Sequence, residues 1–271
     1  MKSTAKTAVG ASEQVTKNMA LVRRAVDASM LNPNQATVRT LWSGNYIQHS
    51  PLQPAGLQPI LDWVGYMEKN GKGEFNYELH RMFAEGDLVA LHGKVKGLGP
   101  QPSVLFNIFR IEDGRLAEHW EGIQPLVSPT ASGRSMLDGP TQPTDFHLTA
   151  ANKAMVTAFM NRVLIGGDFS VVGQYFDGNT YLQHNPGVPD GLSGLNSALK
   201  AMAAKGTTMR YTEVHRTIGM GNFVLTHSEG TLGGKPYQYF DLFRVENGKI
   251  AEHWDCMQDL TAGSKNNNGI F

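Results

Sequence analysis

A single cysteine, Cys256, stands in 271 residues. No disulfide can form within the chain, and no thiolate zinc site can be assembled. An excess of charge is missing too, because 24 Lys and Arg balance 24 Asp and Glu. Recognition of a phosphate backbone relies on clustered basic side chains, so nucleic acid is not expected as a partner. Long apolar runs are also lacking. No stretch approaches the ~18 residues of a membrane span, and the opening "MKSTAKTAVGASEQVTKN" is basic without the apolar core of a signal peptide. These absences predict a chain without a membrane partner, in a reducing cytoplasmic compartment unless a leader has been removed.

What is present is a repeat. "YIQHSPLQPAGL" from Tyr46 returns as "YLQHNPGVPDGL" from Tyr181, 135 residues later. "HRMFAEGDLVALH" from His80 returns as "HRTIGMGNFVLTH" from His215, and "FNIFRIEDGRLAEHWEGIQPL" from Phe106 as "FDLFRVENGKIAEHWDCMQDL" from Phe240. Two copies of about 110 residues make two domains rather than a solenoid. The organisation expected is a disordered tail over 1–14, a first domain over 15–127, a linker over 128–148, a second domain over 149–260 and a frayed polar tail over 261–271. The linker reading rests on the Ser, Thr, Pro and Gly of "VSPTASGRSMLDGPTQPTD".

Within each copy, helices precede strands. Met155, Phe159 and Val163 form the stripe of an amphipathic helix whose counterpart starts near Lys17. A shorter helix is expected from Phe169, then the His phrase in extended form, since its proline disfavours helix at the preceding residue. A third helix is expected from Gly191, and four strands from about Met209, Phe223, Tyr237 and Lys249. The last two strands are joined by "VENGKI", matched by "IEDGRL", and Asn-Gly or Asp-Gly between apolar runs signals a tight hairpin. Helices segregated before an antiparallel sheet give an α+β unit.

These residues together resemble the SnoaL-like polyketide cyclase branch of the nuclear transport factor 2-like superfamily, over both copies. The resemblance implies two tandem cone-shaped units, each with three helices closing over a curved antiparallel sheet around an apolar pocket. Convex faces in such folds pair, so the tandem is expected to form an internal pseudo-dimer, with further homo-oligomers open. Because the fold hosts isomerases, cyclases, lyases and plain binding modules, function must be argued from the site.

Eight of the nine histidines pair between copies. His49 and His184 stand where the ketosteroid isomerases, distant cousins in the superfamily, resemble Glu-Asp-Pro with Asp as base. A neutral imidazole against an apolar pocket is a competent base near neutral pH. Those isomerases also carry a protonated Asp that steadies an enolate, and "FDLFR" offers Asp241 there, with Asn107 in the first copy. They differ in having a Tyr on the first helix, where this chain has Met160 and Asn161, or Arg24 and Ala25.

The facing of the last strand depends on hairpin register. A two-residue turn sets Asp241 opposite Trp254, whereas a bulged turn sets it opposite His253 and gathers Asp241, Phe243, His253 and Asp255 inward. The bulge is the favoured choice, with Asn107, Phe109, His119 and Glu121 as the first-copy set. It turns Phe240, Leu242 and Trp254 outward for contact between the sheets, and leaves Arg244–Glu252 and Arg110–Glu118 as solvated cross-strand pairs. Tyr46 and Tyr181 are candidate donors to a substrate oxygen. The histidines lack the tight spacing of a helical metal motif, so neither a metal nor another cofactor is expected.

The expected activity is acid–base chemistry on a small apolar carbonyl compound, of isomerase, cyclase or lyase type. His184 would be the base, Asp241 the donor, His253 and Asp255 a supporting pair, and His49 and His119 part of a second, altered site. The alternative is a module of the same fold that binds a hydrophobic molecule without chemistry.

Overall fold

The computed structural model describes residues 12–271. Helix α1 (Glu13–Val26) begins earlier than its apolar stripe suggests because Ser12 caps it, its hydroxyl accepting from the Val15 amide at 3.2 Å. That bond satisfies one of the orphaned N–H groups of a helix start. Of the tail expected over 1–14, residues 1–11 lie outside the described residues, and 12–14 are cap and first turn. Then come a π-helical turn (Asp27–Leu31), α2 (Gln35–Leu41), β1 (Trp42–Gln48), α3 (Gln58–Asn70), β2 (Asn76–Glu85), β3 (Leu88–Lys96), β4 (Ser103–Glu112) and β5 (Arg115–Pro125).

The second half repeats this order with α4 (Thr149–Phe159), a π-helical turn (Met160–Ile165), β6 (Leu182–Gln183), α5 (Gly191–Ala204), β7 (Met209–Met220), β8 (Phe223–Leu232), β9 (Lys235–Glu246) and β10 (Lys249–Asp259). The helix expected from Phe169 is a 3₁₀ turn, Phe169–Gln174. Two adjacent valines and Gly173 lower its α-helical propensity. Helices α1 and α4 are pinned alike: the Asn18 amide donates to Gly86 O and the Asn152 amide to Gly221 O, each at 2.9 Å. These anchors place Phe159 where the first half has Ala25.

Each half is a mixed α+β unit with one five-stranded sheet, ordered β1-β5-β4-β3-β2 and β6-β10-β9-β8-β7. The four long strands are antiparallel as expected. The edge strand bearing the Tyr-x-Gln phrase pairs parallel with β5 or β10. It can do so because the chain leaves it through a helical crossover, which parallel strands require.

The hairpin takes neither register expected. Glu246 pairs with Lys249 across Asn247 and Gly248, whose φ values of 51° and 71° are those of a type I′ turn. A register shift between Ile250 and Glu252 then sets Asp241 opposite Asp255 and Phe243 opposite His253. The bulge therefore lies in the strand rather than the turn, displacing the register by two residues from the favoured one. An even displacement preserves facing, so Asp241, Phe243, His253 and Asp255 do share the concave side. The first half does the same, with Asn107 opposite Glu121 and Phe109 opposite His119.

The outward residues build the joint between halves. Phe83, Phe106, Ile108, Trp120, Phe223, Phe240, Leu242 and Trp254 form one buried cluster between the sheets. Phe106 stacks on its own counterpart Phe240 at 6.1 Å. The Arg81 guanidinium lies 4.1 Å over Trp254 of the other half, and Arg216 lies 3.7 Å over Trp120. Reciprocal contacts of this kind are what a two-fold interface produces, and they establish the internal pseudo-dimer.

Both polar segments are tied down. The linker wraps the joint: Arg81 Nε donates to Pro140 O at 2.8 Å and Nη1 to Leu137 O at 3.0 Å, while Met136 and Leu137 are buried. The C-terminal tail, expected to fray, crosses back to the first half. There the Asn266 amide donates to Ser50 O at 2.8 Å and the Asn268 amide to Gln48 O at 2.9 Å, while the terminal Phe271 stacks on His215 of the second half at 4.3 Å. Asparagine-rich chain finds its order by capping carbonyls of the first half that have no sheet partner. Among the described residues no helix is long and apolar enough to cross a membrane.

Candidate functional site

The repeated phrase explains how each concave face is furnished. Along an extended strand neighbouring side chains point to opposite sides. Tyr46 and Gln48 face the cone, so His49 faces the joint; Tyr181 and Gln183 face the cone, so His184 faces the joint. The glutamine links the pieces. Gln48 Nε2 donates to Tyr46 Oη at 3.2 Å, while its Oε1 accepts from the Ser50 amide at 2.8 Å and faces His119 Nδ1 at 3.0 Å. Gln183 repeats this with Tyr181 at 3.1 Å, the Asn185 amide at 2.9 Å and His253 Nδ1 at 2.9 Å. The glutamine oxygen is an acceptor twice over, which fixes Nδ1 of each ring as the donor.

In the second half His253 Nε2 lies 3.0 Å from Asp241 Oδ1, which also accepts from the Tyr211 hydroxyl at 3.1 Å. The Asn185 amide donates to Asp255 Oδ2. Burial pushes the Asp255 carboxyl up to about 6, with the Asp241 charge adding to the rise and His253 opposing it. Burial by itself would lower His253, but its hydrogen bond to Asp241 and the two carboxylates outweigh that and raise it. The cone above is filled: Phe159 meets Tyr175, Phe176 and Phe243 edge-on at 5.3, 5.6 and 5.9 Å.

The first half leaves that space open, as a cavity of about 660 Å³. This is within the range of small-molecule sites. Ala25, Trp42, Ile60, Trp63, Phe75, Leu105 and Phe109 are among its apolar walls. Its polar lining includes Tyr46, Tyr77, His119, Glu121 and Gln124, with Lys265 of the tail. Glu121 Oε1 accepts from Ser50 Oγ at 2.8 Å and more loosely from Gln53 Nε2 at 3.4 Å. Burial raises the Glu121 carboxyl above its usual range, and these two bonds only partly offset the rise. The Tyr77 hydroxyl and Trp42 Nε1 are buried donors without a partner among the described residues. Buried donors are nearly always satisfied, so two among the residues lining one cavity point to an acceptor brought by a ligand.

His119 stacks on Phe109 at 4.5 Å, and its Nε2 lies 2.7 Å from the Asn107 carboxamide. Burial, with His49 nearby, drives its pKa down to about 3, so the ring is neutral. An uncharged amide at position 107, where the second half has Asp241, gives this imidazole no counter-charge.

The expected site thus divides. Asp241, His253, Asp255, Tyr181 and Phe243 come together in the second cone, and His119, Asn107, Phe109 and Tyr46 in the first. His184 and His49, placed in the pockets by sequence, lie on the other side of the sheets. His184 stacks on Trp254 at 4.6 Å between Glu252 Oε1 at 2.8 Å and Asp138 Oδ1 at 2.9 Å. His49 stacks on Trp120 at 4.8 Å and faces Gly269 O at 3.0 Å. Glu252, expected in a solvated pair with Arg244, is buried between Arg244 Nε at 2.7 Å and His184. Gln48, Gln183, Tyr77, Tyr211 and Asn185 also belong to these sites and did not stand out in the sequence. The glutamines stood in the repeated phrase beside the histidines, and strand alternation was the signal that separated them.

Comparison with known families matches the model described as a SnoaL-like domain twice, over residues 22–119 and 156–253. Among solved structures, similar ones include an NTF2-like protein of unknown function from Mesorhizobium loti, 15% identical, covering 44% of this chain and 99% of that one with a TM-score of 0.37. A protein provisionally assigned as a SnoaL-like polyketide cyclase from Jannaschia sp. is 16% identical, covering 43% and 91% with a TM-score of 0.37. An LEH-like epoxide hydrolase of M. tuberculosis is 17% identical, covering 41% and 85% with a TM-score of 0.33. No curated protein matches the chain.

Proposed function

The chain belongs to the SnoaL-like domain family, carrying two such domains in tandem, and on that premise we propose that its first cone is the working site of a cofactor-free acid–base enzyme. The substrate is a small, largely apolar carbonyl compound. Glu121 removes a proton from the carbon beside the carbonyl, and the Tyr77 hydroxyl donates to the oxygen as it gains charge. The proton returns from Glu121 to a different carbon in an isomerisation; in a cyclisation the enolate carbon attacks a second carbonyl, and the proton on Glu121 passes to the alkoxide oxygen so formed. A neutral His119, held by Gln48, keeps Asn107 and Phe109 in place beneath the substrate.

The observation that carries this reading is one buried carboxyl with a raised pKa facing a cavity of about 660 Å³ lined by the Tyr77 hydroxyl, a buried donor without a partner among the described residues. A base works best when its pKa approaches the working pH. Donors fixed in a dry cavity act on developing charge without reorganising. Binding without turnover is the second reading. The second half favours it, because there Phe159 and Phe176 occupy the cone and leave a unit suited to assembly.

The test is deuterium uptake in heavy water with ketones, β-keto esters and polyketide-like aldehydes, followed by mass spectrometry. Wild type is expected to exchange carbon-bound protons of at least one compound. Glu121→Gln should be slower by about 10²–10⁴-fold, the worth of a general base. Saturable binding of these compounds with no exchange would reject catalysis in favour of the binding module.

A further inference from the structure

Asp241, His253 and Asp255 in the second cone play no part in the chemistry assigned to the first. Each offers one donor atom, and the three atoms lie within 4.8 Å of one another, all three residues being buried. More telling is how each is held from behind. Gln183 Oε1 takes His253 Nδ1 at 2.9 Å, the Tyr211 hydroxyl binds Asp241 Oδ1 at 3.1 Å, and the Asn185 amide binds Asp255 Oδ2. Outer partners of this kind fix the ring tautomer and the carboxylate orientation around a metal ion.

The opposite atoms are the unsatisfied ones. Asp241 Oδ2 and Asp255 Oδ1 are both buried without a hydrogen-bond partner among the described residues. The remaining ring nitrogen, His253 Nε2, has only Asp241 beside it at 3.0 Å. Two orphaned carboxylate oxygens side by side are costly in an apolar cone unless something positive lies between them.

The geometry points to a divalent transition-metal site formed by Asp241, His253 and Asp255, with water completing the coordination shell. One imidazole and two carboxylates without a thiolate suit Zn²⁺ or Mn²⁺. The Nε2 lone pair binds the ion because Nδ1 carries the proton given to Gln183. The first half cannot copy the site: Asn107 replaces Asp241, and the longer Glu121 turns its Oε1 to Ser50 and Gln53. This gives a physical reason for Asn107 standing where the second half has Asp241.

The test uses the full chain, stripped with a chelator and titrated by calorimetry with Zn²⁺ and, separately, Mn²⁺. One ion per chain is expected for at least one of the two metals. Asp241→Asn copies the residue of the first half and so keeps a side chain this fold accepts; it should weaken binding at least about 10-fold, the low end of what even an outer-shell partner contributes. Asp255→Asn is the second variant, deciding the matter if the first fails to fold. Glu213→Gln, in the partly exposed cluster Glu213, His215 and Glu229, should change nothing. The proposal is overturned if wild type shows no saturable uptake, if both aspartate variants bind as wild type does, or if only Glu213→Gln loses the ion.

Discussion

Acid should unfold this protein well above the pH at which its carboxylates are exhausted, because its joint and its first cone bury neutral histidines. His92 stacks on Phe106 and His227 on Phe240, each at 4.2 Å, and both rings are sealed from solvent. Burial drives His119 and His227 down to about 3, and His92 well below its usual 6.5, with Arg81 and Arg216 adding repulsion at the joint. Between those values and 6.5 each ring takes up a proton on unfolding, so its contribution is complete above about pH 6.5 and is lost as pH falls. At 1.36 kcal/mol per unit, lowering pH from about 6.5 to about 4.5 costs about 3 kcal/mol for each of His119 and His227, or about 5 for the two, and His92 adds in the same direction.

Asp255 works in the other direction. Its folded pKa of about 6 exceeds the ordinary 3.8, so below pH 6 the folded state holds its proton more tightly and regains about 2 kcal/mol by pH 4.5. His253, raised in the fold, is charged in both states below 6.5 and leaves the slope there unchanged. The net loss from the two histidines and Asp255 is about 3 kcal/mol, a large fraction of the stability of a typical domain, with His92 adding to it and Glu121, also raised by burial, opposing it. Urea unfolding at pH 7.5, 6.5, 5.5 and 4.5 reads it directly. His227→Gln should flatten the slope by about one proton, whatever its effect at pH 7.5. Stability that is level or rising from pH 7 to pH 5 would refute the reasoning.

The joint makes two further predictions. A β-carbon on Gly122 would lie 2.5 Å from the Phe240 ring at the seam between the sheets, so Gly122→Ala should cost about 1–3 kcal/mol by overpacking; an unchanged Tm would count against the packing described. Arg81→Met should cost about 3–5 kcal/mol, since it strips donors from the carbonyls of Leu137 and Pro140 and leaves them buried; a loss under 1 kcal/mol by urea titration would mean that the linker is held by other contacts.

Much of the fold was legible because its signals are local and doubled. The Asn-Gly and Asp-Gly turns, the capped amphipathic helix and the strand alternation occur twice, and each copy checks the other. The concave facing of Asp241, His253 and Asp255 could be read from sequence even though the register itself is displaced, since displacement by two preserves side. The histidines of the repeated phrase misled. Their neighbours Tyr46, Gln48, Tyr181 and Gln183 also repeat, and strict alternation already placed the histidines on the opposite face. The open cone was not legible, because it depends on Ala25 standing where the second half has Phe159, on helices whose exact alignment only the Asn18 and Asn152 anchors reveal. Nor was the order of the tail, which comes from carbonyls of Gln48, Ser50 and Gln53 that lie more than two hundred residues away in sequence.

The account stands or falls on which cone works. Ala25→Phe places in the first cone the ring that closes the second, and deuterium exchange is the measurement that decides. The account predicts that this variant folds, keeps its metal uptake and loses exchange on every compound wild type turns over. Exchange that persists with the first cone filled would contradict it.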